Sequence, residues 1–273
     1  LFPKKKCLSI LRPDWNVILD SGAFTNFKTG REVISFDWYS GFLREHGLLF
    51  EWYFNLDTIG DHVASMATLH RLEAVGLRPV PVFQRGGKTD ALRGLLRDYP
   101  LVGVGGLAGV LNRTKDREYL ESVMRVVREE GGKVHLLGVG RQDILTSQRP
   151  FSSDSSTYAG GQRYGVLSLW TGTRFLSISK HRARVGKKNS TAPAPGLRRL
   201  LLSHGIDYGQ LHDKEQWSGV GWANPIQRAE SVAWIRYAAF LNVGGVRIFQ
   251  ALHQRRLAAL CEAWDAESSR VAA

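Results

Sequence analysis

Short apolar runs and longer amphipathic stretches alternate along the first part of the chain. Residues 17–19 form a β-rich run that ends at Asp20-Ser21-Gly22, and residues 51–56, 79–83, 101–104, 133–137 and 151–153 have the same character. Between these runs, the spacing of apolar positions predicts helices over 36–46, 61–75, 89–98, 116–130 and, shorter, 142–147. Gly76 and the Gly131-Gly132 pair supply stop signals for two of them. Strands that alternate with helices imply a parallel sheet joined by right-handed crossovers.

A closed barrel and an open, doubly wound sheet both satisfy that pattern. The polar residues favour the barrel. Asp20, Asp57, Gln84, Gly105-Gly106, Gly138-Val139-Gly140 and Asp154 each stand at the C-terminal end of a predicted strand. A (β/α)8 barrel gathers those ends round one mouth, whereas an open sheet spreads them along a line. One such barrel of about 250 residues accounts for the 273 residues as a single domain.

After Asp154 the pattern loosens. Residues 166–170 and 175–179 read as strands, and 225–241 as a helix. Residues 244–263 are expected to hold a strand or turn and the last helix. The stretch 180–199 holds Lys180, His181, Arg182, Arg184, Lys187, Lys188, Arg198 and Arg199 and reads as a mobile basic loop. That cluster belongs to a wider excess: 37 Lys and Arg against 25 Asp and Glu, a formal charge of +12. A phosphate backbone is the partner such a surface suits, through charge neutralisation and counterion release.

Two cysteines, Cys7 and Cys261, make neither a disulfide framework nor a metal knuckle, so a reduced, cytoplasmic setting is expected. No stretch is long and apolar enough for a transmembrane helix. Leu1 is not an initiator residue, so the natural chain is expected to start upstream, and no signal-peptide pattern follows it.

Taken singly, the strand-end groups are weak signals. An Asp before Ser-Gly is often a turn residue, Asp57 has an alternative role as a helix cap, and Gly-rich turns occur in every α/β fold. Gln84 ahead of Arg85-Gly86-Gly87 is less ordinary, because it leaves open backbone around an amide. Trp217, Trp222 and Trp234 read as a stacking platform or as core, with core favoured for Trp234. His212-Asp213 is too isolated to form a dyad.

The ordered set says more. Leu19-Asp20-Ser21-Gly22-Ala23-Phe24, Asn55-Leu56-Asp57, Val82-Phe83-Gln84-Arg85-Gly86-Gly87, Gly105-Gly106-Leu107-Ala108, Leu136-Leu137-Gly138-Val139-Gly140 and Ser153-Asp154-Ser155-Ser156 follow one another over roughly residues 15–165. This succession resembles the tRNA-guanine transglycosylases, and among them the shorter, phage-type enzymes that insert 7-deazaguanines into DNA in the host cytoplasm.

The resemblance implies a TIM-like barrel that exchanges guanine in a nucleic acid for a free 7-deazaguanine base, with no cofactor. It makes Asp154 the covalent nucleophile and Asp20 the general acid/base. Asp57, Gln84, Gly105, Gly106, Leu107, Ser21 and Phe24 become base-binding residues. Tyr158 and Arg163, with Lys180, His181, Arg182, Arg184, Lys187 and Lys188, become contacts to the target strand.

Two departures push the reading from tRNA towards DNA. The three clustered cysteines and histidine that hold zinc in the tRNA enzymes have no counterpart here, so no metal is expected. The acidic residue that favours an aminomethyl base is replaced by Gly109-Val110-Leu111, which points to an uncharged incoming base such as a cyano-deazaguanine. The alternatives that remain are a tRNA substrate and a non-catalytic nucleic-acid-binding subunit. A sugar-phosphate barrel enzyme would need a phosphate-binding glycine loop after the seventh strand, and none is evident.

Overall fold

The computed structural model describes residues 16–30, 34–107, 114–155, 164–180, 195–213, 215–217 and 224–242. The chain divides into two compact units, Leu1–Ser155 and Ser156–Ala273, where the sequence pattern suggests one domain. Among the described residues no helix is long and apolar enough to cross a membrane.

The first unit is mixed α/β. Its strands are β1 (Ile18–Leu19), β2 (Trp52–Tyr53), β3 (Val82–Gln84), β4 (Val102–Gly105), β5 (Val134–Leu136) and β6 (Ser152–Ser153). Its helices are α1 (Ala23–Thr29), α2 (Phe36–His46), α3 (His62–Ala74), α4 (Thr89–Asp98), α5 (Thr114–Glu130) and α6 (Gln142–Gln148). Each predicted strand and helix of this half is present within a few residues. The seven-residue α1, directly after Asp20-Ser21-Gly22, is the addition.

Strands β3 to β6 form a four-stranded parallel sheet in chain order, and β1 pairs with β2, also in parallel. A single parallel bridge, Phe54 to Val80, carries the pairing from β2 towards β3. The Asn55 N–H donates to the Val80 carbonyl at 3.0 Å and the Val80 N–H to the Tyr53 carbonyl at 2.7 Å. Strand order therefore never reverses.

The sheet is also strongly curved. The Phe54 ring, beyond β2, lies 5.1 Å from the His135 ring on β5. Three strand spacings of a flat sheet would hold those positions about 14 Å apart. Gly103 on β4 makes the approach feasible, since a Cβ there would sit 3.0 Å from the Phe54 ring.

Helices clothe the sheet with apolar faces. Leu92, Leu95 and Leu96 on α4, and Leu120, Val123, Met124 and Val127 on α5, are buried at helical spacing. Asp61 caps α3 by accepting the Ala64 N–H at 2.9 Å, and Ser35 caps α2 through the Trp38 N–H. A fully buried Asn55 ties three elements together. Its Oδ1 accepts the Val82 N–H at 2.7 Å, while its Nδ2 donates to the Ser65 carbonyl at 2.9 Å.

In the second unit β7 (Val166–Trp170) and β8 (Phe175–Ser179) are antiparallel, in register from Val166↔Ser179 to Trp170↔Phe175. A connection as short as residues 171–174 permits only that direction, because a parallel return needs a crossover of a dozen residues or more. Helix α7 (Pro195–Ser203) and helix α8 (Pro225–Asn242) follow, with short 3-10 turns between them.

The basic loop expected over 180–199 is corrected at both ends. The Lys180 N–H donates to the Gly165 carbonyl at 2.7 Å, closing the hairpin, and Arg198 and Arg199 lie in α7. Pro195 suits a first helical position, and Leu197, Leu200 and Leu201 make an apolar face that packs into the core of this unit. Trp217 is core, its Nε1–H donating to the Leu211 carbonyl at 2.9 Å. Trp234 packs against Phe175 at 4.8 Å, as a core reading requires. Trp222 and residues 244–263 lie outside the described residues.

Replacing Asn55 with Ala strands the buried Val82 N–H, so Asn55→Ala is expected to destabilise the fold by about 1–3 kcal/mol. Urea unfolding of the two proteins measures it. Equal midpoints would refute the bracing role.

Candidate active site

The site begins where β1 ends. Ser21 is fully buried, its hydroxyl donates to Asp57 Oδ1 at 2.9 Å, and its Oγ accepts the Ala23 N–H at 3.2 Å. The strand-end positions of β1 and β2 are thus joined side chain to side chain. Gln84, at the end of β3 and fully buried, donates from Nε2 to the other Asp57 oxygen. Its Oε1 accepts the Gly60 N–H at 3.2 Å.

Gly105 on β4 leaves the room this amide occupies, since a Cβ there would fall 2.5 Å from Gln84 Nε2. Gly106 and the buried Leu107 follow directly. Asp57 is therefore a held group, gripped by one hydroxyl and one amide, rather than a helix cap. Asp61 has that task.

Across the curved sheet stands Asp154, just beyond β6. Its Oδ1 accepts the Gly138 N–H at 2.8 Å and lies 3.1 Å from His135 Nε2, while 57% of the side chain stays open to solvent. Gly138 has φ of 70°, a left-handed turn that aims its N–H at the carboxylate and that a side chain would strain. The Ser153 hydroxyl reaches the Leu136 and Val139 carbonyls at 2.8 and 2.6 Å, fastening the end of β6 to this same turn.

His135 is the residue that motif reading missed. It is 4% exposed, and its Nδ1 lies 2.9 Å from Ser152 Oγ. The available signal was a polar residue between Val134 and Leu136 in an otherwise apolar strand, directly before the glycine turn.

Three carboxyl groups thus share one rim, and their surroundings treat them differently. Burial raises the Asp20 acid above the ordinary range, the Asp154 charge raises it further, and the Gly22 and Ser21 N–H groups offset only part. Burial raises Asp57 to about 6, against the Ser21 hydrogen bond, with the Asp20 charge adding to the rise. Asp154 goes the other way. Partial burial works to raise it, but the hydrogen bonds from His135 and the Gly138 N–H prevail and hold it below the usual range.

At neutral pH the site therefore presents an ionised carboxylate facing an acid that keeps its proton more readily. The two groups are thus shifted in opposite directions. Phe24, half exposed on α1, adds an apolar ring 6.4 Å from that of Phe27. A cleft lined by Trp52, Arg78, Pro79, Tyr99 and Leu101 lies at the opposite, N-terminal ends of the strands, away from all of these groups.

The structure gathers Asp20, Ser21, Asp57, Gln84, Gly105 and Asp154. Lys180 belongs to the hairpin of the second unit. Tyr158, Arg163, His181, Arg182, Arg184, Lys187 and Lys188 lie outside the described residues. Among the described residues no group of three or more His, Cys, Asp or Glu side chains is placed to hold a metal ion. No protein-family model and no curated protein matches the chain.

Asp57 gives a test of this electrostatic picture. The folded protein holds the Asp57 proton more tightly than the unfolded chain, whose carboxyl titrates near pH 4. Stability is therefore lost as pH rises from about 4 through about 6. Relative to Asp57→Asn, the wild type is expected to lose roughly 3 kcal/mol across that window and to level off above it. Denaturant unfolding at stepped pH reads the difference, and a flat difference would contradict the assignment.

Proposed function

We propose that the chain is a DNA-guanine transglycosylase, a pentosyltransferase that replaces guanine with a free 7-deazaguanine base on a (β/α)8-type barrel. One observation carries the reading. Asp20 and Asp154, at the ends of the first and last of six parallel strands in chain order, lie close enough to act on one another and are shifted in opposite directions.

The same facts support a barrel over an open sheet, which in this order would separate β1 from β6 by about 24 Å. The six-motif succession and the +12 charge support the substrate class, and both fit a cytoplasmic enzyme acting on a phosphate backbone.

The chemistry balances with these residues alone. The Asp154 carboxylate attacks C1′ of the target nucleotide, forming a C–O bond as the C1′–N9 bond breaks. The bonding pair leaves with guanine, and Asp20 supplies the proton that neutralises it. Guanine departs and the deazaguanine enters. Its N9–H proton passes to Asp20 while N9 attacks C1′, and Asp154 leaves as the carboxylate it was.

Opposite protonation at the start is what the two acids need, and their surroundings favour it. Asp57, held by Ser21 and Gln84, faces the purine's amide edge. The target nucleotide has to leave its stack to reach such a rim, so a flipped or single-stranded base is the substrate form.

Label loss from guanine-labelled duplex DNA in the presence of a free cyano-deazaguanine tests the reading, with labelled tRNA in parallel. Exchange is expected in DNA. Exchange confined to tRNA would overturn the choice of polymer, and none in either would overturn the activity. Asp154→Asn is expected to lower exchange by at least about 10³-fold and to abolish the covalent protein–nucleic acid adduct on a denaturing gel. Asp20→Asn is expected to slow exchange by about 10²–10⁴-fold.

A further inference from the structure

Two fixed donors converge on one oxygen of Asp154. The Gly138 N–H reaches Oδ1 at 2.8 Å and His135 Nε2 lies 3.1 Å from the same atom, while Oδ2 carries neither. The histidine has little freedom to move. It is 4% exposed, its far nitrogen is 2.9 Å from Ser152 Oγ, and the Phe54 ring packs on it at 5.1 Å. Its register partner on β6 is Ser152, and Asp154 follows two residues later, so backbone pairing fixes both ends of the contact.

We propose that His135 is a positioning residue for Asp154. Its Nε2–H and the Gly138 N–H immobilise Oδ1 and leave Oδ2 as the atom that bonds to the sugar.

The tautomer follows from the partners. An ionised carboxylate only accepts, so Nε2 is the donor, and in the neutral ring Nδ1 then accepts the Ser152 hydroxyl proton. Ser152 sets which nitrogen carries the hydrogen, and the ring in turn sets the angle of the carboxylate. A free carboxylate rotates about its last bond and offers either oxygen, whereas a carboxylate held by two donors on one oxygen presents the other in a single direction. That restriction is what an in-line attack on C1′ requires.

The part of this inference that concerns C1′ rests on the proposed transglycosylase reading. The pairing of His135 with Asp154 does not.

Three variants separate the possibilities. His135→Phe keeps a ring against Phe54 and removes the donor. His135→Gln keeps an amide N–H close to the Nε2 position. Ser152→Ala leaves the ring in place and frees its tautomer. Two quantities are read for each: the titration midpoint of the Asp154 carboxyl carbon by ¹³C NMR, and the single-turnover rate of adduct formation with guanine-containing DNA. Asp20 and Asp57, the other titrating acids of this rim, are unchanged throughout.

His135→Phe is expected to move the Asp154 midpoint upward and to slow adduct formation by about 10–100-fold, with substrate affinity unchanged. His135→Gln is expected to recover most of both effects, and Ser152→Ala to give a smaller loss in the same direction. An Asp154 midpoint unmoved in His135→Phe, or His135→Gln indistinguishable from His135→Phe, would overturn the proposal. If the wild type forms no adduct while the midpoint still moves as expected, the transglycosylase reading fails and the pairing stands.

Discussion

The curl of the parallel sheet is the constraint on which everything else in the first unit depends. A strand end is a chemically empty place until other strand ends face it. Pairing in chain order lines the ends up along one edge, and curvature turns that edge into a rim. The Phe54 ring resting on His135 is the internal strut of that curve, and Gly103 is the gap through which it reaches.

Curvature also explains why the acids behave unlike one another. Like charges brought to one rim raise each other's affinity for protons, so each carboxylate must be stabilised from elsewhere or stay protonated. Asp154 receives a backbone N–H and an imidazole. Asp57 receives a hydroxyl and an amide, against deeper burial. Asp20 receives only the N–H groups of its own turn. Gln84 has a bracing part in this, because its amide joins the β3 end to Asp57 and to the Gly60 backbone in one buried network.

Much of this was legible in the sequence. Helices α2 and α4 lie over 36–46 and 89–98, as the apolar spacing predicts, and the strand-end groups fall where the runs stop. Periodicity worked there because each helix buries one clear stripe. It missed α1, whose seven residues are too few for a stripe and whose Phe24 and Phe27 stay exposed.

It also missed α7, because a run of arginines and two prolines outweighed Leu197, Leu200 and Leu201. His135 and Asn55 escaped for another reason. His135 sits in β5 and Asn55 just beyond β2, and each makes its defining contact with a residue far along the chain that only the folded sheet brings near.

The central claim is that the ends of β1 and β6 meet, so that Asp20 feels Asp154. The titration midpoint of the Asp20 carboxyl carbon by ¹³C NMR tests it, in the wild type and in Asp154→Asn. Removing the facing charge should lower the Asp20 midpoint towards that of an ordinary carboxylic acid. A midpoint that stays where it was would mean the two strand ends do not share a rim, and the account would fall.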